Sequence, residues 1–360
     1  MRQNHKCGTI ELKQLLPELR GIMNSTPEPE SDYGDYEYQI PAPSMTPATC
    51  TDATCVFLAI VNVIIFVLGV VGNGLVIWIA GFKMKKSVNT TWYLSLAVSD
   101  FLFCSFLPIS IAYTVKKDWV FGLLMCKFTS FILFLNMFSS IFLLVIISVD
   151  RCVVVMFPVW AQNKRTVRKA SVVVVLAWIT AALFSKPSAF FRDIERDIFE
   201  DRNICFNNYT SAEQHAAVVS CRFVFGFLMP FLIIIFCYVF IIQKLKLNQS
   251  ARSKKPFKIM TALIATFLIC WLPFHTVALM ELNHHKYASI LPTGQVIGTT
   301  FASANSCLNP FLYAFMGKDF KRKCHALLSK IENAIEEEGR STVRGTSITT
   351  SGEGKLSTVV

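Results

Sequence analysis

Seven apolar stretches, each long enough to cross a bilayer, constrain this chain more than any other feature of it. A hydrocarbon core of roughly 30 Å takes about 20 apolar residues in a helix, and lipid offers no partners to backbone N–H and C=O groups, so a helix must satisfy its own. The stretches run from Val56 to Ala80, Trp92 to Val115, Leu123 to Met156, Ser171 to Phe190, Val218 to Ile242, Ile259 to Met280 and Ile290 to Met316. They predict an all-α membrane protein, a bundle of seven transmembrane helices. Composition agrees, since 53% of the 360 residues are hydrophobic and 16% charged, too apolar for ordinary soluble domains. The formal charge of +11 sits in short clusters between apolar runs. Binding to nucleic acid, which needs a continuous basic face, is not expected.

Those clusters orient the bundle, because Lys and Arg near helix ends stay on the cytoplasmic side. Lys83, Lys85 and Lys86 follow the first span; Lys164, Arg165, Arg168 and Lys169 separate the third and fourth; Lys244, Lys246, Arg252, Lys254, Lys255 and Lys258 separate the fifth and sixth; Lys318, Lys321, Arg322 and Lys323 follow the seventh. The N-terminus is therefore expected outside and the C-terminus in the cytosol. Residues Met1 to Arg20 lack the apolar core of a cleavable signal, so the first span is expected to direct insertion; Met1 and Met23 are alternative starts. The layout is an outer tail over 1–55, the bundle over 56–316, an amphipathic helix on the inner leaflet over 317–331 and a disordered tail over 332–360. Cys324 in that amphipathic helix is either palmitoylated or an inert thiol. Of the Asn-x-Ser/Thr sequons, Asn24 and Asn208 fall outside and are N-glycosylation candidates, whereas Asn89 and Asn248 fall inside.

Most of the twelve cysteines sit inside spans, which is not the pattern of a disulfide scaffold or a metal site. Cys104, Cys152, Cys221, Cys237, Cys270 and Cys307 are read as small buried hydrophobes. Cys126, at the outer end of the third span, and Cys205, in the outer loop before the fifth, share an oxidising compartment and are expected to pair. Cys7, Cys50 and Cys55 are also outside, and spacing alone leaves a Cys50–Cys55 bridge open.

Ionisable residues inside spans cost at least a few kcal/mol and so suggest function. Asp100 lies mid-span, and Asn73, Asn136, Ser140, Asn305 and Asn309 offer neutral oxygens on other spans; a sodium ion or water cluster suits such ligands, and a protonated Asp100 bonded to Asn73 is the alternative. Asp150 and Arg151 end the third span, where a switch or a merely structural ion pair would fit. Arg222 sits near the outer end of the fifth span, and a partly buried guanidinium is a natural carboxylate clamp. Lys186 is close enough to the outer boundary to snorkel, and His275 reads as a pocket or packing residue. Pro108, Pro230, Pro273 and Pro310 interrupt apolar helices and supply pivots.

From Gly72-Asn73 onward the ordered motifs are those of one family. Leu96-Ala97-Val98-Ser99-Asp100, Trp119-Val120-Phe121-Gly122 before Cys126, Asp150-Arg151-Cys152, Trp178, Cys270-Trp271-Leu272-Pro273 and Asn309-Pro310-Phe311-Leu312-Tyr313 fall on the right helices in the right order. The chain resembles the class A (rhodopsin-like) G-protein-coupled receptors. Within them it is similar to the chemoattractant receptors, most of all those for chemerin, through Pro158-Val159-Trp160-Ala161-Gln162-Asn163, Cys205-Phe206-Asn207-Asn208, Lys254-Lys255-Pro256-Phe257-Lys258 and Glu281-Leu282-Asn283-His284-His285.

The resemblance implies a plasma-membrane receptor, not an enzyme, for a chemoattractant peptide or protein, signalling through an inhibitory heterotrimeric G protein in chemotaxis and inflammation, with arrestin as a further partner. It implies ligand-binding roles for Arg222, Glu281, Asn136, Phe134 and Trp271, with Glu281 either meeting a basic ligand group or offsetting nearby charge. It also implies a sodium site at Asp100, Asn136, Ser140, Asn305 and Asn309, with no other cofactor. Ile141, Pro230 and Phe267 form a packing switch under Trp271, next to the Pro273 kink. Asp150, Arg151, Tyr238, Asn309, Pro310 and Tyr313 rearrange as the sixth span moves outward. Cys152 replaces the Tyr of most of the class, as in the chemoattractant subgroup. No acidic residue near Ser253 can hold Arg151, which leaves Asp150 as its main restraint. Tyr33 and Tyr36, among the acids of the outer tail, sit in the context of tyrosine sulfation and ligand capture, with a solvated acidic linker as the plainer alternative.

Three other functions compete. A carboxylated lipid mediator could also use Arg222, although the long acidic tail favours a peptide or protein. A non-signalling decoy is opposed by the intact Asp150-Arg151 and Asn309 to Tyr313 motifs. A transporter would show repeated halves with paired broken helices, and the chain has no such repeat.

Overall fold

The computed structural model describes residues 52–198, 201–247 and 255–316, with side chains over 52–198, 201–244 and 261–311, and four single positions further on, Arg322, Ala326, Ser329 and Asn333. Seven long helical segments appear where the apolar stretches lie. The first is Ala53–Trp78, continued by a wide π turn over Ile79–Lys83; the second is Val88–Lys116, the third Gly122–Met156 and the fourth Val167–Phe190. The fifth runs Ala212–Phe223, a π turn Val224–Leu228, then Met229–Leu247; the sixth is Lys255–Glu281 and the seventh Leu291–Met316. Short helices Pro158–Lys164 and His284–Tyr287 lie in connections.

Several segments begin before their apolar stretches, by up to six residues in the fifth. Hydropathy marks what faces lipid, whereas the helix starts at its cap. Ser87, Thr166 and Ser211 each accept a bond from the backbone N–H three residues on, satisfying a donor that the helix itself leaves open. Among the described residues, six segments are apolar enough to cross a membrane by length and composition. The seventh is more polar because Thr299, Ser303, Asn305, Ser306 and Asn309 share it, and the last four of these are buried, so they face the bundle and not lipid.

The third span is the axis, with 72% of its most apolar window buried against 17% for the first and fourth. The others pack around it through Leu96, Phe138, Ile141, Leu144, Phe267 and Trp271. Trp178 Nε1 donates to Ser95 Oγ at 2.9 Å, tying the fourth span to the second. At the fifth-span π turn, Gly226 lies so close to the third span that an added Cβ would stand 2.8 Å from Met137 Cε. Pro230 follows four residues later, where its ring would otherwise press on the Gly226 carbonyl, and the wide turn relieves that clash.

Between the fourth and fifth spans the chain forms an antiparallel hairpin of β1, Arg192–Asp197, and β2, Arg202–Asn207, with Arg192 opposite Asn207 and Ile194 opposite Cys205. The disulfide Cys126–Cys205 fastens the hairpin to the third span. The Trp119 backbone N–H donates to Asn203 O at 2.9 Å, and Asp118 Oδ1 accepts from Asn203 N at 2.8 Å.

Candidate functional site

Three stations lie along the third span, and the first is at the hairpin end. A cavity of about 740 Å³ opens there, lined by residues of the first, second, third and seventh spans together with Arg192, Arg202, Phe206 and Glu281. Arg222 is not on its wall. Arg222 is only 8% exposed; its guanidinium lies 3.7 Å from the centroid of the Phe134 ring and donates from Nη2 to Ser188 Oγ at 3.1 Å. Arg192 stands on the far side of a serine pair: its Nε donates to Ser130 Oγ at 3.2 Å and its Nη1 to the Cys205 carbonyl, while Ser130 Oγ donates to the Ser188 carbonyl at 2.9 Å. Burial holds the Arg192 pKa below its ordinary value, partly offset by Tyr209 and Glu281. Neither arginine meets a carboxylate among the described residues. Two guanidiniums with only neutral acceptors make a strongly anion-seeking site.

Beneath Arg222, Trp271, Phe274 and His275 form one aromatic cluster, with Phe134 against Phe274 at 5.8 Å and Phe267 stacked under Trp271 at 5.9 Å between centroids. Ile141, Phe267 and Trp271 are fully buried, and Pro230 is buried beside the π turn. Trp271 Nε1 and His275 Nε2 have no hydrogen-bond partner among the described residues.

At mid-depth Asp100 is completely buried. Asn136 Nδ2 donates to its Oδ1 at 2.9 Å and Asn309 Nδ2 to its Oδ2 at 2.7 Å. Ser306 Oγ donates to Asn136 Oδ1 at 3.1 Å, and Ser99 and Ser139 share a bond of 2.5 Å. Asn73 turns away from Asp100 and donates to the backbone oxygens of Gly69 and Ser306. Asn136 and Asn309 therefore bond to Asp100, whereas Ser140 and Asn305 are buried and no hydrogen bond joins them to it among the described residues. Among the described residues Ser140 Oγ and Asn73 Oδ1 are buried oxygens with no hydrogen-bond partner. A buried carboxylate and uncommitted buried oxygens are the ligand types that a hard cation takes.

At the third station Asp150 meets two arginines. Arg151 Nη2 donates to Oδ2 at 2.8 Å; Arg165 donates from Nε to Oδ1 at 2.6 Å and from Nη2 to Oδ2 at 2.9 Å. Both guanidiniums also donate to Asn89 Oδ1. Asp150 is thus the one carboxylate on Arg151 among the described residues, and it is shared with Arg165. Tyr238 hydroxyl lies 3.0 Å from Thr261 Oγ1, linking the fifth span to the sixth.

Other sequence expectations fall as follows. Lys186 is exposed on the bundle surface. Cys221 is exposed and Cys152 half-buried, not buried as expected, whereas Cys104, Cys237, Cys270 and Cys307 are buried. Cys55 is disulfide-bonded. Asn208 is exposed and donates to Asp193 Oδ2 at 3.2 Å. Tyr33, Tyr36, Asn24, Cys324 and the tail lie outside the described residues, as does the Tyr313 side chain. Arg192, Ser130, Ser188, Arg165 and Asn89 were not singled out for these sites. The basic loop clusters contained Arg165, but nothing local in the sequence distinguishes it from Arg168.

The model of the 7 transmembrane receptor (rhodopsin family) matches residues 72–313. "Chemerin-like receptor 1" of Homo sapiens is 46% identical over 305 residues, covering 79% of this chain and 81% of that one. "Chemerin-like receptor 2" of Mus musculus is 39% identical over 274 residues, covering 74% and 77%. "Formyl peptide receptor 2" of Mus musculus is 38% identical over 307 residues, covering 80% and 88%. With this match over most of its length, and with the buried carboxylate, the Trp271 cluster and the Asp150–Arg151 pair set along one central helix, the chain belongs to the rhodopsin family of seven-transmembrane receptors.

Proposed function

We propose that the protein is a plasma-membrane receptor for a chemoattractant peptide or protein of the chemerin kind, with its N-terminus outside, coupling to an inhibitory heterotrimeric G protein and subsequently to arrestin. The observation that carries the ligand class is the pair Arg222 and Arg192, two cations at the hairpin end with only neutral acceptors. A ligand carboxylate entering past the hairpin would take both guanidiniums, and drawing Arg222 off the Phe134 ring would disturb Phe134 and, through Phe274, Trp271. Glu281 on the cavity wall would meet a basic group of the same ligand. The acids around Tyr33 and Tyr36, with sulfate added to those tyrosines, would gather a basic ligand from solution by long-range attraction.

In the resting state Asp100, Asn136 and Ser140, with Asn309 and Asn305 nearby, would hold a sodium ion that balances the buried carboxylate charge. Activation would then move the sixth span about Pro273, part Tyr238 from Thr261, and let Tyr238, Arg151 and Tyr313 regroup around the C-terminal helix of Gα. The amphipathic helix would lie on inner-leaflet lipid, with Cys324 as its acyl anchor.

The test is inhibition of forskolin-raised cAMP in cells displaying the chain, with a chemerin C-terminal peptide as ligand. A pertussis-toxin-sensitive fall in cAMP is expected. Silence at confirmed surface expression would sink the peptide assignment and favour a carboxylated lipid, tested next in the same cells.

A further inference from the structure

Arg165 does something at the inner station that the receptor reading above does not use. It caps the short loop helix Pro158–Lys164, and its fork takes both oxygens of Asp150, whereas Arg151 keeps a single bond to Oδ2. The two guanidiniums also share Asn89 Oδ1. All three charged side chains are largely shielded, at 13% exposure for Asp150, 15% for Arg151 and 24% for Arg165. No other carboxylate meets either arginine among the described residues.

Two physical consequences follow. A forked guanidinium–carboxylate contact holds more firmly than a single bond, so Arg165 is the stronger claimant on Asp150. Like charges drawn onto the same two acceptor oxygens repel one another, so Arg165 also weakens the hold on Arg151. We infer that Arg165 is a positioning residue for signalling: by occupying Asp150 it leaves Arg151 loosely held, and so sets how readily the receptor couples without ligand. The restraint on Arg151 is thereby tied to the loop between the third and fourth spans, while the sixth span is held separately by the neutral Tyr238–Thr261 contact. The inference rests on the G-protein reading above.

The experiment uses the full chain in lipid nanodiscs as wild type, Arg165→Ala, Arg165→Lys, Asp150→Asn and the double variant Asp150→Asn/Arg165→Ala. Ligand-free nucleotide exchange is measured on a purified inhibitory-type Gα with its βγ partner, and thermal midpoints are measured in parallel without G protein. Arg165→Ala should lower basal exchange about threefold, the scale of one partly exposed ion-pair contact. Arg165→Lys, which keeps charge but loses the fork, should fall between it and wild type. Asp150→Asn should raise exchange, and adding Arg165→Ala to it should lower exchange by less than it does in the wild type. The midpoint shifts of the two single variants should not add in the double variant.

Unchanged or raised exchange in Arg165→Ala overturns the inference, as does an equal drop in the Asp150→Asn background. Additive midpoint shifts would remove the contact itself. If the wild type drives no exchange, the coupling reading fails and the signalling role of Arg165 fails with it, while the midpoints still decide the contact.

Discussion

The two ends of the bundle handle charge in opposite ways. At the hairpin end, Arg222 and Arg192 contact no carboxylate among the described residues, Glu281 acting on them only at a distance, and their partners include a ring, two serine hydroxyls and a backbone carbonyl. At the other end one carboxylate, Asp150, serves two arginines. A buried cation without a counter-ion is costly, and a protein keeps one where something else will complete it. The first end is therefore built to receive an anion, and the second is internally paired and poised to redistribute. Between them, Asp100 is buried and holds two amide donors.

Breaking the outer half of this contrast should have the largest effect. Arg222→Ala should shift the concentration of chemerin C-terminal peptide needed for half-maximal cAMP inhibition by about 100-fold or more, since losing one partner of a desolvated charge pair costs several kcal/mol. Equal potency at matched surface expression would mean that Arg222 is packing and not a clamp. Arg192→Ala, at a half-buried position, should cost roughly tenfold by the same reasoning; a larger loss than that of Arg222→Ala would reverse their order.

Mid-depth comes next. Exchanging sodium chloride for a large organic cation should raise peptide affinity of the wild type about fivefold, in the range of ordinary coupling between sites. Asp100→Asn should make affinity indifferent to sodium. A sodium effect that survives the substitution would place the ion elsewhere. The smallest effect belongs to a neutral contact. Trp178→Phe removes the bond to Ser95 and should lower stability by about 0.6 kcal/mol, read as a small fall in thermal midpoint with peptide potency unchanged; altered potency would show that the fourth span takes part in the contrast.

The fold was legible because lipid imposes a simple rule, and seven apolar runs obey it with helix ends displaced only by caps such as Ser211. Asp100, Asn136 and Asn309 were legible because polarity inside a span stands out. Arg222 stood out for the same reason. Arg192 did not, since an arginine in an outer loop looks solvated until the Cys126–Cys205 bridge folds that loop over the bundle. Arg165 was hidden among basic loop residues whose count reports topology and whose individual contacts depend on where the loop helix ends. Ser140 and Asn305 were named from composition of the spans, but hydrogen-bond direction at Asp100 is decided by side-chain rotation, which no spacing encodes.

The third span contains no proline, while Pro108, Pro187, Pro273 and Pro310 interrupt the second, fourth, sixth and seventh, and Pro230 lies in the fifth beside its π turn. With 35 residues at 1.5 Å each, it is an unbroken rod of about 52 Å, and the disulfide, Phe134, Asn136 and Asp150 are all mounted on it. It serves as the stator of the machine. Whatever the hinged helices do, they do relative to this one element, so a probe fixed to its axis would report the motion of every neighbour in a common frame.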